Sequence, residues 1–410
     1  MIRSVLTISK GKNNLAFQLI LFFLTFSYLF NLKFLNFEWI PATRLVLILC
    51  FLTLGLKLAY FFKGEIERNS LFYVAQVSAF IYIIAQIFFL PTDLGMLSKI
   101  VVFLVFTIYV AGAGALIFNG VNHFLKVLVA CCTLQACMVF ISFVFPGYRE
   151  WLSGVMVEGG NIPFSDPFRV PGFSTGSGAS LALALSIGVF SAMSLFWKDN
   201  RLSIRLFYFI LAIFITSSCI FVGKLGLFLC SFYILSFLLV SFKSIKHVGV
   251  IFLCLSGVAF LVFLFFDIDF ETISYPLERS FSIFIKGEDS SVEAIRGMPI
   301  PPIDIETIAG TGLASTPSGL NASGSDVGYI QTYYGFGLVF SIVFYLSMFL
   351  YLLKNIYMLE NRSNRLICFL FFVPLFIIEF KEPFVTKISQ PIVLFILIFL
   401  SRREGDSHRN

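Results

Sequence analysis

Uninterrupted apolar stretches, each near the length that crosses a bilayer, constrain this chain more than any other feature. They occupy about residues 14–33, 45–62, 71–90, 100–119, 124–145, 178–197, 206–222, 225–241, 248–266, 327–353, 366–380 and 388–400. A helix rises about 1.5 Å per residue, so roughly 20 apolar residues span a hydrocarbon core about 30 Å thick. A helix also satisfies its backbone hydrogen bonds within one segment, which lipid demands. The runs predict an all-α, polytopic integral membrane helical bundle of about 12 transmembrane helices. One membrane-embedded domain is expected over residues 1–410.

Composition agrees. Of the residues, 58% are hydrophobic and 13% charged, against about 45–50% and about 25% in soluble domains. That hydrophobicity excludes a disordered chain. The runs are continuous, which excludes an outer-membrane barrel built of short alternating strands. The net charge of +6 is scattered through short loops, so no basic stripe marks a nucleic-acid partner. Cys50, Cys131, Cys132, Cys137, Cys219, Cys230, Cys254 and Cys368 all lie within apolar runs and form no CxxC pair. They read as small buried hydrophobes rather than disulfide partners or metal ligands.

Charge orients the spans. No small-residue cleavage site follows the first run, so it reads as a retained helix rather than a signal peptide. With the N-terminus cytoplasmic, most of the 29 Lys and Arg fall in inner segments, among them Lys63, Arg68, Lys198, Arg201, Arg205, Lys354, Arg362, Arg365, Arg402 and Arg403. Short inner loops are expected to be basic, and both termini then come out cytoplasmic. Two outer loops are too long for turns, about 146–177 and 267–326. Loops of that length are usually functional. Gly223-Lys224 separates either two helices or the halves of a broken one.

Four clusters could carry chemistry. The first is Phe168-Arg169-Val170-Pro171-Gly172-Phe173-Ser174-Thr175-Gly176-Ser177-Gly178. Arg169 can hold phosphate in a bidentate fork, and glycines such as Gly172 let backbone N–H groups approach an anion at a helix start. An interfacial arginine before a flexible helix entry is the plainer reading. The second is Ser217-Ser218 with Gly223-Lys224-Leu225-Gly226. Lys224 is either a ligand contact or a snorkelling interfacial charge.

The third joins Gly310-Thr311-Gly312 to Gly324-Ser325-Asp326-Val327-Gly328-Tyr329-Ile330-Gln331-Thr332-Tyr333-Tyr334-Gly335. Asp326 reads as a helix N-cap, as a general base at the membrane surface, or as both. Tyr329 and Tyr333 line a sugar site or form an interfacial aromatic belt. The fourth is Glu379-Phe380-Lys381-Glu382-Pro383, where Lys381 either contacts substrate or pairs with its neighbours. His123, His247 and His408 are all placed at or near the cytoplasmic side, so the outer face has no histidine base or ligand. Asp267-Ile268-Asp269 has the spacing of a metal-binding acid pair, but such pairs are common by chance, and no metal or cofactor is assigned.

With these residues in view, the chain resembles the bacterial O-antigen polymerases, the Wzy family, which are related to the O-antigen ligases. Arg169-Val170-Pro171-Gly172-Phe173 is similar to the Arg-x-x-Gly that ends the family's first large periplasmic loop. Gly310-Thr311-Gly312 and Ser325-Asp326-Val327-Gly328-Tyr329 are similar to the pattern that closes the second. The layout resembles the family over the whole chain, the motifs over about 30 residues. An Arg-x10-Gly spacing found in some members is absent here: Ser180 follows Arg169 at that distance and Thr307 follows Arg296. Lys224 stands where the family often has an arginine.

The resemblance implies a GT-C-like glycosyltransferase of the bacterial inner membrane. Its substrates would be undecaprenyl-pyrophosphate-linked oligosaccharide repeat units, and its partners the bilayer, a chain-length regulator and a flippase. The acceptor hydroxyl attacks the anomeric carbon and the lipid pyrophosphate leaves. Cations are needed at the leaving group and an acceptor for the hydroxyl proton. Arg169 with Arg279 or Arg296 suits the first need and Asp326 the second. Three rivals are weighed, of which a structural membrane protein without catalysis leaves the two long loops unexplained. An O-antigen ligase, transferring glycan to lipid A-core, usually carries a histidine in the large loop, which this loop lacks. A lipid-linked oligosaccharide flippase usually has short external loops and charges within its helices.

Overall fold

The computed structural model describes residues 15–35, 41–89, 93–158, 164, 169–175, 178–241, 297–316, 320–385 and 389–409. Among them every regular element is a helix. In chain order these are α1 (Leu15–Leu29), α2 (Ala42–Arg68), α3 (Ser70–Phe89), α4 (Gly95–Ile117), α5 (Val121–Val144), α6 (Pro146–Val155) and α7 (Ala179–Lys198). Then follow α8 (Leu202–Val222), α9 (Lys224–Ser241), α10 (Ile305–Ala309), α11 (Gly328–Phe336), α12 (Leu338–Tyr357), α13 (Arg362–Ile378) and α14 (Ser389–Arg409). Eight of the described helices are long and apolar enough to cross a membrane: α2, α3, α4, α5, α7, α8, α9 and α12. The protein is an all-α, multi-pass membrane protein.

The expected spans and the helices differ in particular places. The run at 248–266 lies outside the described residues, as does most of the loop 267–326. The first run gives α1, an apolar helix shorter than the spans. Gly223 separates two helices, α8 and α9. The run at 327–353 is expected as one span but is two helices. The break is Gly337, whose φ of +86° belongs to the left-handed region. A Cβ there would lie 2.6 Å from the Ile308 carbonyl oxygen, so the chain turns where another backbone segment crosses it. Apolarity runs straight through such a break, which is why the sequence does not show it.

The chain divides into two compact units. One is built from Met1–Ser9, Val46–Val121 and Ser290–Asn410, the other from Lys10–Leu45 and Asn122–Asp289. In the second unit α7 is buried along its whole length from Leu181 to Phe196. Its sequence explains this: Ala182, Ala184, Ser186, Gly188, Ser191, Ala192 and Ser194 are small enough for neighbouring helices to approach. A Cβ on Gly226 of α9 would sit 2.5 Å from the Ala182 Cβ. The Ser186 and Ser194 hydroxyls donate to the carbonyls of Leu183 (2.7 Å) and Phe190 (2.8 Å), so neither is left unpaired in the core.

In the first unit, α4 packs against α14, and α3 against α12. Residues Val102–Tyr109 of α4 are wound as a π-helix. The charged end of α14 acts as a latch. Arg402 forms a buried ion pair with Glu65 of α2. Arg403 donates to the Ala115 and Phe118 carbonyls at the end of α4. Glu404 accepts from the Val121 N–H (2.8 Å) and the Asn364 amide (2.9 Å). Basic residues counted above as orienting charges therefore also close helix ends, where cations suit the unpaired carbonyls.

Candidate functional site

Within the second unit the first two clusters meet. The segment Arg169–Thr175 precedes α7 as irregular backbone. The Val170 N–H donates to the Phe221 carbonyl at the end of α8 (3.0 Å). The Phe173 N–H donates to Gln135 Oε1 on α5 (3.2 Å), and the Thr175 hydroxyl donates to the Asn31 carbonyl beyond α1 (2.8 Å). Gly172 is buried, and any side chain there would overlap the Gln135 amide. Gly223 faces the backbone of Gly178, whose carbonyl carbon is 3.5 Å from where a Cβ would be.

Arg169 is half-buried, and among the described residues its guanidinium has no hydrogen-bond or ion-pair partner. Gln135 is fully buried and its Nε2 has no partner. Exposed polar groups can turn to water, but Gln135 is shielded, and Arg169 partly so, while keeping unused donors. On the same loop, Trp151 is 52% exposed and stacks between Tyr148 and Phe173. Lys224, the first residue of α9, is half-buried and is engaged by a neighbouring group. The Ser217 and Ser218 hydroxyls turn back to the α8 carbonyls of Phe214 (2.8 Å) and Ile215 (2.7 Å). Arg279 and Arg296 lie outside the described residues.

Within the first unit the third and fourth clusters meet. The Gly328 N–H, at the start of α11, donates to the Glu379 carbonyl just past α13 (2.9 Å). A Cβ on Gly328 would lie 2.6 Å from Glu379 Oε1 and 2.7 Å from the Pro383 Cα. Glu379 is 0% exposed. Its Oε1 accepts from the Tyr345 hydroxyl (2.5 Å) and its Oε2 from the Val385 N–H (2.8 Å). Burial pushes its carboxyl up to about 7, while those two hydrogen bonds and the charge of Lys99 pull the other way. The Lys99 ammonium donates to Gln331 Oε1 (3.2 Å), and Gln331 Nε2 donates to the Ser325 carbonyl (3.1 Å).

The Gly310-Thr311-Gly312 segment lies along the end of α11, with Thr311 N–H donating to the Tyr334 carbonyl (2.9 Å) and Gly312 N–H to Gly335 (3.0 Å). Asp93 anchors the next residues, accepting from the N–H groups of Gly95 (2.9 Å), Ala314 (3.1 Å) and Ser315 (2.8 Å). Partial burial works to raise the Asp93 pKa, yet these donors outweigh it and hold the carboxyl below the usual range.

The N-cap reading of Asp326 is corrected by this geometry. The N-cap of α11 is Val327, one residue later, with no side-chain cap. Asp326 is exposed, and its Oδ1 accepts from the Asn321 amide (2.6 Å). Ser325 instead receives the Val327 N–H on its hydroxyl (3.3 Å). The Tyr329 and Tyr333 hydroxyls donate to the carbonyls of Phe376 (2.8 Å) and Pro302 (3.0 Å). Their rings, with Tyr345, Ile342, Leu346 and Phe349, line an open groove of about 420 Å³. Lys381 is half-buried in the turn after α13 and has a polar interaction of its own.

Sequence reasoning passed over Lys99, Gln135, Gln331 and Tyr345, and chose Lys381 over Glu379 in the fourth cluster. Two weak signals existed: Gln135 is an amide within a predicted span, and Lys99 a cation at the edge of one. Tyr345 carried none, being an aromatic residue among many. Among the described residues no group of three or more His, Cys, Asp or Glu side chains could hold a metal ion. Six of the described cysteines are buried and Cys137 is half-buried. Cys219 and Cys230 approach to 3.7 Å between sulfurs.

No protein-family model, curated protein or solved structure matches this chain.

Proposed function

We propose that the protein is a polysaccharide polymerase of the O-antigen type. It would join undecaprenyl-pyrophosphate-linked oligosaccharide repeat units at the periplasmic face of a bacterial inner membrane. The observation that carries this reading is Arg169. A half-buried guanidinium with no partner, beside irregular backbone next to a helix start, suits a phosphate-bearing ligand. The sequence resemblance puts the same residue in the motif that ends the first large loop. The multi-pass helical fold provides a bilayer setting for a lipid-linked substrate.

In this reading the acceptor hydroxyl attacks the anomeric carbon of the growing glycan. The bond from that carbon to the phosphate oxygen breaks, and its electron pair leaves with the pyrophosphate. Arg169 stabilises the charge that grows there, with Arg279 and Arg296 as further cations of the second loop. Pyrophosphate is a good leaving group and needs no acid. Gly172 and Lys224 belong with Arg169, and Tyr329, Tyr333 and Lys381 are assigned as sugar contacts. Two carboxyls compete for the acceptor proton: exposed Asp326 and buried Glu379.

The test is the lipopolysaccharide ladder of the source strain with this gene deleted. A single short rung means that units are still flipped and ligated, so the protein polymerises. Loss of every rung points to ligation or flipping, and an unchanged ladder removes the protein from the pathway.

A further inference from the structure

We propose that Glu379 accepts the proton of the attacking sugar hydroxyl, and that the Tyr345 hydroxyl relays it. This deepens the polymerase reading and rests on it. The argument begins with hydrogen-bond directions. Tyr345 Oη touches both Glu379 Oε1 (2.5 Å) and Thr332 Oγ1 (2.9 Å), and Thr332 Oγ1 lies 2.9 Å from the Gly328 carbonyl. Hydroxyls both donate and accept. When Glu379 is ionised, the Tyr345 O–H donates to it. When Glu379 is protonated, its O–H donates to Tyr345, Tyr345 to Thr332, and Thr332 to the Gly328 carbonyl. Every hydroxyl proton finds an acceptor in both states, so the chain carries a proton without leaving a buried group unpaired.

A purely structural tie between α12 and the turn after α13 needs only neutral acceptors. A carboxyl that is 0% exposed adds a desolvation cost which an amide or carbonyl would avoid. The surroundings balance that cost instead of removing it. Lys99 faces Glu379 from α4, Tyr345 from α12 and Tyr329 from α11, with Lys381 and Glu382 next in the chain. The carboxyl lies beyond the end of α13, and burial lifts it to about 7, where it exchanges protons at ordinary pH.

The transfer balances. The sugar O–H bond breaks as the new C–O bond forms. Its proton passes to Tyr345 Oη while the Tyr345 proton moves to Glu379 Oε1, and the electron pair of the broken C–O bond leaves with the pyrophosphate. The tyrosine stays neutral throughout. Glu379 therefore acts through Tyr345.

The experiment uses the full-length protein in a deletion strain, following pulse-labelled glycan entering polymer at external pH 5.5 to 8.5, with membrane levels checked by immunoblot. Wild-type output is expected to rise with pH through about 7. Glu379→Gln is expected to lose about 100-fold and the pH dependence with it. Tyr345→Phe, which keeps the carboxyl and its Val385 bond, is expected to lose about tenfold. Glu379→Asp is expected to regain part of the output with a shifted pH profile. These two carry the test if Glu379→Gln fails to accumulate. Wild-type output in Glu379→Gln or Tyr345→Phe overturns the proposal, as does a uniform loss in Glu379→Asp and Tyr345→Phe with the wild-type pH profile. Either result leaves the polymerase reading standing, because that reading fails on a different observation, a full ladder in the deletion strain.

Discussion

The two centres solve opposite problems. In the second unit, Arg169 and Gln135 hold donors that no described residue takes up. In the first, Glu379 is as deeply buried as Gln135, but both its oxygens are occupied. A cation with unused donors is prepared for an anion from outside. A carboxyl with both oxygens hydrogen-bonded is prepared to hold or release a proton. Charges buried for stability alone are usually paired, as Arg402 and Glu65 are. Arg169 departs from that pattern by lacking a partner among the described residues, and Glu379 by sharing a hydrogen bond with a hydroxyl that can reverse.

The sharpest way to break the comparison is at Arg169. Arg169→Ala should abolish chain extension, by about 100-fold or more, while membrane level and thermal stability stay at wild-type values, since no partner is stranded. Arg169→Lys should keep intermediate activity if a point charge suffices. A stability loss matching the activity loss would show that Arg169 is structural.

The next effects are on packing, at the glycine of each centre. Gly328→Ala would push a methyl against both Glu379 and the backbone of Pro383, and should cost about 1–3 kcal/mol. Gly172→Ala meets chiefly the movable end of Gln135 and should cost less. Thermal unfolding in detergent would rank them, and the reverse order would mean that the acid centre is the more pliant of the two.

A smaller effect is the pH dependence of stability. Burial raises the folded Glu379 carboxyl from the ordinary carboxylate range, about 4.5, to about 7. Its contribution is therefore complete below about 4.5 and is lost as pH rises through about 7. Glu379→Gln should flatten that decline in unfolding scans between pH 5 and 8, and an unchanged slope would place the titration elsewhere. The smallest effect is expected at exposed Asp326. Asp326→Asn keeps a hydrogen-bonding group for Asn321 and should lower polymer output by a few-fold at most. A loss as large as that of Glu379→Gln would return the proton-accepting role to Asp326.

What the sequence determined by itself is the helical, membrane-crossing character of the chain. Seven predicted spans recur as helices long and apolar enough to cross, and an eighth such helix, α12, covers only the later part of the run predicted over 327–353, because apolarity is a local property that sums along a segment. The glycine-rich clusters were legible too, and they fall where chains approach closely. The tertiary structure alone decided which clusters meet. Val170 bonds to Phe221 and Gly328 to Glu379, pairs far apart in sequence whose contact depends on how whole helices pack. It also decided that α11 starts after Val327 rather than Asp326, that Gly337 splits an apolar run, and that Tyr345 stands against Glu379. Hydropathy and spacing carry no record of such encounters. A buried carboxyl and an unpartnered guanidinium acquire their chemistry from what surrounds them, and only packing brings those surroundings together.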